Sequence, residues 1–544
     1  MVQLEKYTIP AMLRSSFLNY RERPSLVFAG EQNFTYGQLE KKMNLVVDQL
    51  VTIGVQKGDK CVILSTNMPN WGIAYFAIAS IGGIVVPILP DFSATEITNI
   101  IQHSEPKIIF VSENLLPKID SFTTDPNKIV IGIESFEKLT GAENIQSINA
   151  QGNTAETVEE EDLASIIYTS GTTGKSKGVM LTHKNIVWDA EHAGMIQPIN
   201  CEDRFLSLLP LSHAYENTIG FILPVMYGAS VHYIRKLPTP AVLLPALQKV
   251  KPTLLLTVPL IIEKIYHRQI KPKFTSNRFV RLLYGFFPVR LLLHRIAGKK
   301  LLETFGGKLI FFGIGGAKLD ANVEKFLHEA KFPYSIGFGL TETAPLVAGA
   351  GPADTRLYTI GPAMPGNEVK IDQPDPKTGQ GEIWVKGPNV MRGYYKEPEL
   401  TKEVITAEGW FRTGDLGLFD ERGYLVFKGR LKNMIVSASG ENIYPEEIES
   451  VINNFKNVVE SLVIQRKGKL VALVRLNMEE LESQYQAFRD QADLYNEKLE
   501  DLLHELQLYV NTHVNKFSQV QLVLIQPEPF ERTPTQKIKR FLYT

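Results

Sequence analysis

Between Tyr168 and Gly178 the chain gathers eight small polar or glycine residues around two lysines: Thr169, Ser170, Gly171, Thr172, Thr173, Gly174, Ser176 and Gly178, with Lys175 and Lys177. Glycine lets a backbone turn so that several N–H groups point at one anion. Hydroxyls add donors, and lysines add positive charge for phosphate oxygens. The chemistry these residues spell is the gripping of a polyphosphate. A Walker-type loop competes, because Gly174, Lys175 and Ser176 match its end, but it needs a glycine where Thr169 stands. It also needs a helix starting at the lysine, whereas Val179, Met180 and Leu181 read as strand. A merely solvated loop fits poorly between the apolar run 163–168 and that second strand.

Further constellations carry candidate chemistry. Gly337, Phe338, Gly339, Leu340, Thr341 and Glu342 follow a short apolar strand, 334–336, and set bare backbone beside a hydroxyl and a carboxylate. A carboxylate next to phosphates suits Mg²⁺. Gly313, Gly315, Gly316 and Ala317 end another apolar strand and offer backbone to a flat ring or an acyl chain, a weak signal taken alone. Asp415 follows Trp410 and a tight turn at Gly414, and a carboxylate there can accept both hydroxyls of a ribose diol. His213 comes after the apolar residues 208–210; a lone histidine is more often packed than catalytic. Ser439, Gly440 and Glu441 form a glycine-containing loop, and Lys537, Lys539 and Arg540 a basic end whose bland reading is a solvated tail.

The elements that must position these residues alternate. Strand-like runs at 61–65, 84–89 and 108–111 interleave with helical runs at 71–80 and 94–103, the signature of α/β layers with largely parallel sheets. Residues 72–90 carry no charge, but Gly82, Gly83, Pro87 and Pro90 punctuate them, so they read as a buried helix and strand, not a membrane span. From 361 to 428 short strands broken by glycine and proline predict a small β-subdomain. An α+β tail follows, with hairpin strands at 461–465 and 469–476, mostly helix over 480–514 and a last strand at 522–525. The expected domains are 1–431 and 432–544.

In this order, from Phe34, Thr35 and Tyr36 to Arg540, the motifs resemble the AMP-forming adenylating enzymes, and among them the long-chain fatty-acyl-CoA synthetases. The resemblance implies an α/β chain: a large N-terminal domain of layered subdomains with a small β-barrel, then a small mobile α+β lid hinged at Lys432. It implies that Thr169, Ser170, Gly171, Thr172, Thr173, Gly174 and Lys175 hold ATP phosphates. Gly315, Gly316 and Ala317 would meet adenine, with Phe338 stacked on it beside Gly339. Thr341 would touch the α-phosphate, Glu342 hold Mg²⁺, and Asp415 with Arg430 serve the ribose and phosphate side. His213, Gly313 and Gly337 would line the acyl pocket, and Ser439, Gly440 and Glu441 meet the pantetheine of CoA. Lys537 would reach the acyl carboxylate and α-phosphate; the family's general pattern has glycine before that lysine, where this chain has Gln536.

The implied reaction joins a fatty acid, of long chain, to coenzyme A through acyl-AMP, using ATP and Mg²⁺. Two alternatives stay open: a ligase that loads an acyl carrier protein, and a lipid-binding scaffold without chemistry. Intact Lys537, Glu342, Thr341 and Asp415 argue against the scaffold. At 544 residues the chain exceeds one core, and 44% hydrophobic with 22% charged residues is ordinary for a globular protein. Lysine plus arginine (58) against aspartate plus glutamate (59) argues against a nucleic-acid binder. Cys61 and Cys201 imply no disulfide framework and fit a reducing cytoplasm. Glu5 and Lys6 interrupt any apolar leader, so no signal peptide is expected. From 264 to 302 there is no acidic residue but ten cations, among them Arg281, Arg290, Arg295, Lys299 and Lys300, interleaved with Phe279, Leu282, Phe286, Phe287 and Leu292. Two readings stand there: a peripheral docking face for an anionic membrane, or apolar residues packed on the large domain with solvated cations.

Overall fold

The computed structural model describes residues 4–32, 34–125, 128–140, 157–169, 176–236, 238–275, 282–436, 442–466, 468–478, 481, 492–533 and 538–544. The chain divides into two compact units. One comprises Met1–Lys370, Trp384–Arg412 and Asp420–Leu425, the other Ile371–Ile383, Thr413–Phe419 and Val426–Thr544.

The first unit is built on two large sheets. Strands buried on both faces read as continuous apolar runs, and Ile84–Ile88, Lys60–Leu64 and Ile108–Val111 lie side by side and parallel inside an eight-stranded sheet. On one flank of that sheet Leu163–Thr169 pairs parallel to Ile84–Ile88 and then antiparallel to Lys177–Thr182, with Gly393–Tyr394 at the edge. The seven-stranded sheet runs Leu26–Phe28, Ser230–Tyr233, Arg204–Leu206, Leu254–Thr257, Phe311–Ile314 and Tyr334–Gly339, all parallel, and closes with Leu346–Gly349 antiparallel.

The uncharged stretch is core, as expected. Helix Pro69–Ser80 is apolar all round, and Trp71 to Ala79 are fully buried, as a helix packed on every side must be. Trp71 stacks on Tyr75 with ring centroids 5.3 Å apart, and Phe221 stacks on Phe76 at 4.6 Å. Among the described residues no helix is long and apolar enough to cross a membrane.

Two local readings change. The strand begun at Tyr334 does not stop at Ile336 but carries Gly337, Phe338 and Gly339, because those residues pair with Gly349, Ala348 and Leu346. Only glycine permits this return at 339, since a Cβ there would lie 1.9 Å from the Pro345 carbonyl oxygen. Asp415 likewise sits inside a nine-residue strand, Phe411–Phe419, with the positive φ of Gly414 (68°) absorbed within it. That strand belongs to a four-stranded sheet ordered Glu368–Asp372, Gly381–Lys386, Phe411–Phe419 and Leu425–Arg430.

The basic stretch splits. Tyr266, Ile270, Phe274 and Leu301 enter the core beside Phe312 and Phe326, and Arg290 forks onto both oxygens of Glu329. Leu282, Phe286, Phe287, Leu292 and Ile296 stay 58–66% exposed. On helix Phe287–Thr304 the outward stripe reads Leu292, Arg295, Ile296, Lys299 and Lys300, opposite buried His294, Gly298 and Leu301. Arg278, Phe279 and Arg281 lie outside the described residues.

In the second unit, the antiparallel hairpin Val458–Arg466 and Lys469–Leu476 takes Leu522–Ile525 parallel on its far side. Helices Pro445–Ile452 and Ala492–His513 supply Ile448, Ile452, Leu506 and Val510 to the core on that sheet.

Candidate active site

In the first unit, parallel neighbours Phe311–Ile314 and Tyr334–Gly339 bring Gly313 opposite Ser335. Their exposed glycine backbone forms one wall of a cavity with about 530 Å³ of empty space, part of it open to solvent. Phe205, Leu254 and Leu256 rise from the sheet; Ala193, Ile196 and Ile199 come from the end of helix His183–Ile196 and beyond it. Tyr215, Ile219 and Leu223 close the opposite side, and Gly313, Gly337 and Leu346 complete it. The lining is almost wholly hydrocarbon. Ser335, one of its few polar members, already donates to the Ala350 carbonyl at 2.6 Å. A Cβ on Gly313 would come within 2.8 Å of the Tyr215 hydroxyl, so the bare backbone keeps this end open.

His213 is not among the cavity's lining residues; Tyr215, whose N–H donates to His213 Nδ1 at 3.2 Å, is. The following turn is a π-helix, Glu216–Ile222, a form enriched at functional sites. It brings Ile219 to the cavity and buries Glu216, which does not line it. Burial pushes the Glu216 carboxyl up to about 8, against a lowering hydrogen bond with Ser207.

Beyond Gly339 the chain makes a single 3₁₀ turn, Thr341–Thr343. Glu342 is held at both ends: its carbonyl accepts from Met391 N at 2.8 Å, and its Oε1 from the Tyr394 hydroxyl at 2.9 Å. Tyr394 pairs across the sheet with Val179, and the Lys177 ammonium lies 5.3 Å from its ring centroid. Lys177 is in turn opposite Thr169. The structure therefore gathers Thr169, Lys177, Tyr394 and Glu342 around the base of the hydroxyl-rich loop. Ser170, Gly171, Thr172, Thr173, Gly174 and Lys175 lie outside the described residues. Gly315, Gly316 and Ala317 follow the end of strand Phe311–Ile314, with Gly316 at φ 87°.

A buried polar frame behind this turn was not legible in the sequence. Asp189, fully buried on helix His183–Ile196, accepts from Leu346 N with both oxygens (3.2 and 3.3 Å) and from Asn389 Nδ2 at 3.2 Å. Burial drives its carboxyl well above the usual range, and those hydrogen bonds pull it back. Asn389 also donates to the Leu346 carbonyl at 2.7 Å, and Asn185, one turn before Asp189, donates to the Pro388 and Val390 carbonyls. The one available signal was an Asn and an Asp at i and i+4 of an otherwise buried helix.

In the second unit Asp415, 1% exposed, meets Arg430 across adjacent strands, with Nε 2.7 Å from Oδ1. The Asp415 N–H donates to Thr413 Oγ1, which itself donates to the Ile383 carbonyl. Lys432 sits exposed in the turn Leu431–Asn433. Ser439, Gly440, Glu441 and Lys537 lie outside the described residues. The residues flanking Lys537 are anchored: Arg532 bridges Ile538 and pairs with Glu460, and Arg540 pairs with Glu449.

With this geometry in place, comparison with known proteins is specific. The family model described as AMP-binding enzyme matches residues 13–395. The chain is 29% identical to the chloroplastic long-chain-fatty-acid–acyl-carrier-protein ligase of Arabidopsis thaliana, over 98% of this chain and 84% of that one. It is 30% identical to the peroxisomal long chain acyl-CoA synthetase 6 of the same plant, over 82% of this chain and 69% of that one. In fold it matches o-succinylbenzoate CoA synthetase from Bacillus subtilis, solved with its acyl-adenylate intermediate, at a TM-score of 0.76 and 23% identity, over 98% of each chain. The chain thus belongs to the AMP-binding enzyme family, the AMP-forming adenylating enzymes, and within it resembles the long-chain fatty-acyl-CoA synthetases.

Proposed function

We propose that this protein is an AMP-forming fatty-acyl-CoA ligase acting on long-chain acids. The observation that carries the reading is the hydrocarbon-lined cavity ending at Gly313 and Gly337, on the two strands that run into Ala317 and Glu342. An acyl tail in that cavity leaves its carboxylate at the glycine backbone, beside the phosphate-binding turn. The relatives' names, an acyl-CoA synthetase and an acyl-carrier-protein ligase, share fatty-acid activation and differ in the thiol acceptor.

In the first step a carboxylate oxygen bonds to the α-phosphorus of ATP and the bond to pyrophosphate breaks. In the second the CoA sulfur bonds to the acyl carbon and AMP leaves. Adenylyl transfer of this kind relies on positioning and charge stabilisation. We assign the triphosphate to Thr169 and the loop 170–175, the α-phosphate to Thr341, adenine to Phe338, Gly339 and the backbone of Gly315, Gly316 and Ala317, and the ribose to Asp415 with Arg430. His213 serves the pocket from behind Tyr215. Lys537 brings carboxylate and phosphate together in the first step, and Ser439, Gly440 and Glu441 receive pantetheine in the second, with the change of arrangement hinged at Lys432.

Mg²⁺ fits this donor set. Mg²⁺ characteristically takes one or two carboxylates plus substrate phosphates, and the Glu342 carboxylate stands on Tyr394, whose ring lies beside Lys177 at the exit of the hydroxyl-rich loop. Glu342 would hold it, and the ion would neutralise phosphate charge. We place the enzyme in the cytoplasm, docked at an anionic membrane surface through Leu282, Phe286, Phe287 and helix Phe287–Thr304, where fatty acid is concentrated.

Pyrophosphate release tests the function. It is expected to require a long-chain acid and ATP, to continue to turnover only when CoA is added, and to yield acyl-CoA. Turnover with a carrier protein but not CoA assigns the other acceptor. No acid-dependent release leaves only the scaffold.

A further inference from the structure

Glu342 carries a flexible side chain on the single 3₁₀ turn Thr341–Thr343, and among the described contacts only one group holds its carboxylate: the Tyr394 hydroxyl, 2.9 Å from Oε1. Tyr394 itself is fixed. It is 6% exposed, its N–H donates to Thr401 Oγ1 at 2.9 Å, and its strand is zipped to Met180 and Val179. Its ring lies under the Lys177 ammonium, on the strand that leaves the hydroxyl-rich loop. We infer that Tyr394 is a positioning residue that sets the Glu342 carboxylate for Mg²⁺ and ties it to the exit of the phosphate-gripping loop.

The physical reason is pre-organisation. An unheld glutamate samples several rotamers, and ordering it on metal binding opposes affinity. A hydroxyl that donates to Oε1 fixes the carboxylate plane in advance, satisfies one oxygen and keeps Oε2 outside that bond. Because the same ring carries the Lys177 contact, a shift of the loop's exit strand moves the carboxylate with it. A carboxylate ligand oriented by a hydrogen-bonding neighbour is a general feature of metal sites. The inference rests on the proposed role of Glu342, so its test separates the two.

ATP affinity is measured by calorimetry on the full-length protein, in chelator and in excess Mg²⁺, for the native chain, Tyr394→Phe, Glu342→Gln and the double variant. The readout is the gain in affinity that Mg²⁺ confers. Tyr394→Phe keeps the ring, and is expected to leave chelator affinity unchanged while cutting the Mg²⁺ gain about tenfold, the lower end of the scale for one charge-assisted hydrogen bond. Glu342→Gln is expected to abolish the gain, and adding Tyr394→Phe to it to change nothing further. An undiminished gain in Tyr394→Phe, or equal weakening with and without Mg²⁺, overturns the positioning role. An additive effect in the double variant does so too. A full gain in Glu342→Gln instead overturns the metal role of Glu342 itself.

Discussion

Buried carboxyls decide much of how this protein responds to pH. Glu216, in the π-turn that lends Ile219 to the hydrocarbon-lined cavity, has its carboxyl raised by desolvation from 4.5 to about 8. The folded state therefore holds a proton that the unfolded chain releases near its ordinary range. Stability that is full below about pH 4.5 falls as pH rises, by about 1.4 kcal/mol per unit, until the folded group itself ionises near 8. Glu263 and Glu324, each raised to about 7, act in the same direction. Glu216→Gln keeps the shape without the charge, so its denaturant midpoint is expected to gain on the native protein steadily from pH 5 to 8. Parallel midpoints across that range, measured by fluorescence, contradict a buried neutral Glu216. At this scale the residues whose own chemistry is polar and clustered, such as Thr341, Glu342 and Asp415, were legible in the chain. Asp189, Asn389 and Tyr394 were not, because their meaning lies in partners 157, 43 and 52 positions away.

Secondary elements were legible where apolar pattern alone dictates them. Helix Pro69–Ser80 and strands Ile84–Ile88, Leu163–Thr169 and Lys177–Thr182 stand where apolar runs and their punctuation put them. The continuation of Tyr334–Gly339 through two glycines was hidden, since it depends on pairing with Leu346–Gly349 across a turn that no local propensity signals. Helix Phe287–Thr304 needed the structure to divide its two faces. Its outward Leu292 and Ile296 alternate with Arg295, Lys299 and Lys300, and self-association through such a stripe would set cation against cation. An anionic bilayer accepts both components, at about 1 kcal/mol per cation near the surface. Co-sedimentation with phosphatidylserine vesicles is expected at low salt, to weaken as salt rises, and to be lost in Arg295→Glu/Lys299→Glu/Lys300→Glu. Absence of binding at low salt, or binding indifferent to those changes, removes the membrane from the account.

At the scale of the whole molecule, one chain must serve two reactions with opposite needs. In the proposed reading the first, which brings an anionic carboxylate to a polyanion, relies on Lys537, and the second admits a thiol past Gly440. Lys537→Ala is expected to abolish pyrophosphate release yet still convert supplied acyl-AMP and CoA to thioester, and Gly440→Leu to do the reverse. Equal loss of both half-reactions in both variants rules out alternation about Lys432. The family was legible because its motifs are local in sequence and fall in a fixed order over nearly the full length. Beyond Gly313 and Gly337 the hydrocarbon-lined cavity was not, since its walls come from separated segments between Ala193 and Gly349.

Passage of the acyl group through an adenylate leaves its record in the oxygens of the products. Palmitate labelled with ¹⁸O in both carboxylate oxygens is incubated with the enzyme, ATP, Mg²⁺ and CoA, and the nucleotide product is weighed by mass spectrometry. Attack on the α-phosphorus followed by thiol displacement leaves one labelled oxygen in each AMP, with acyl-CoA keeping the other. Label in inorganic phosphate with ADP as the nucleotide, or AMP without label, contradicts the account.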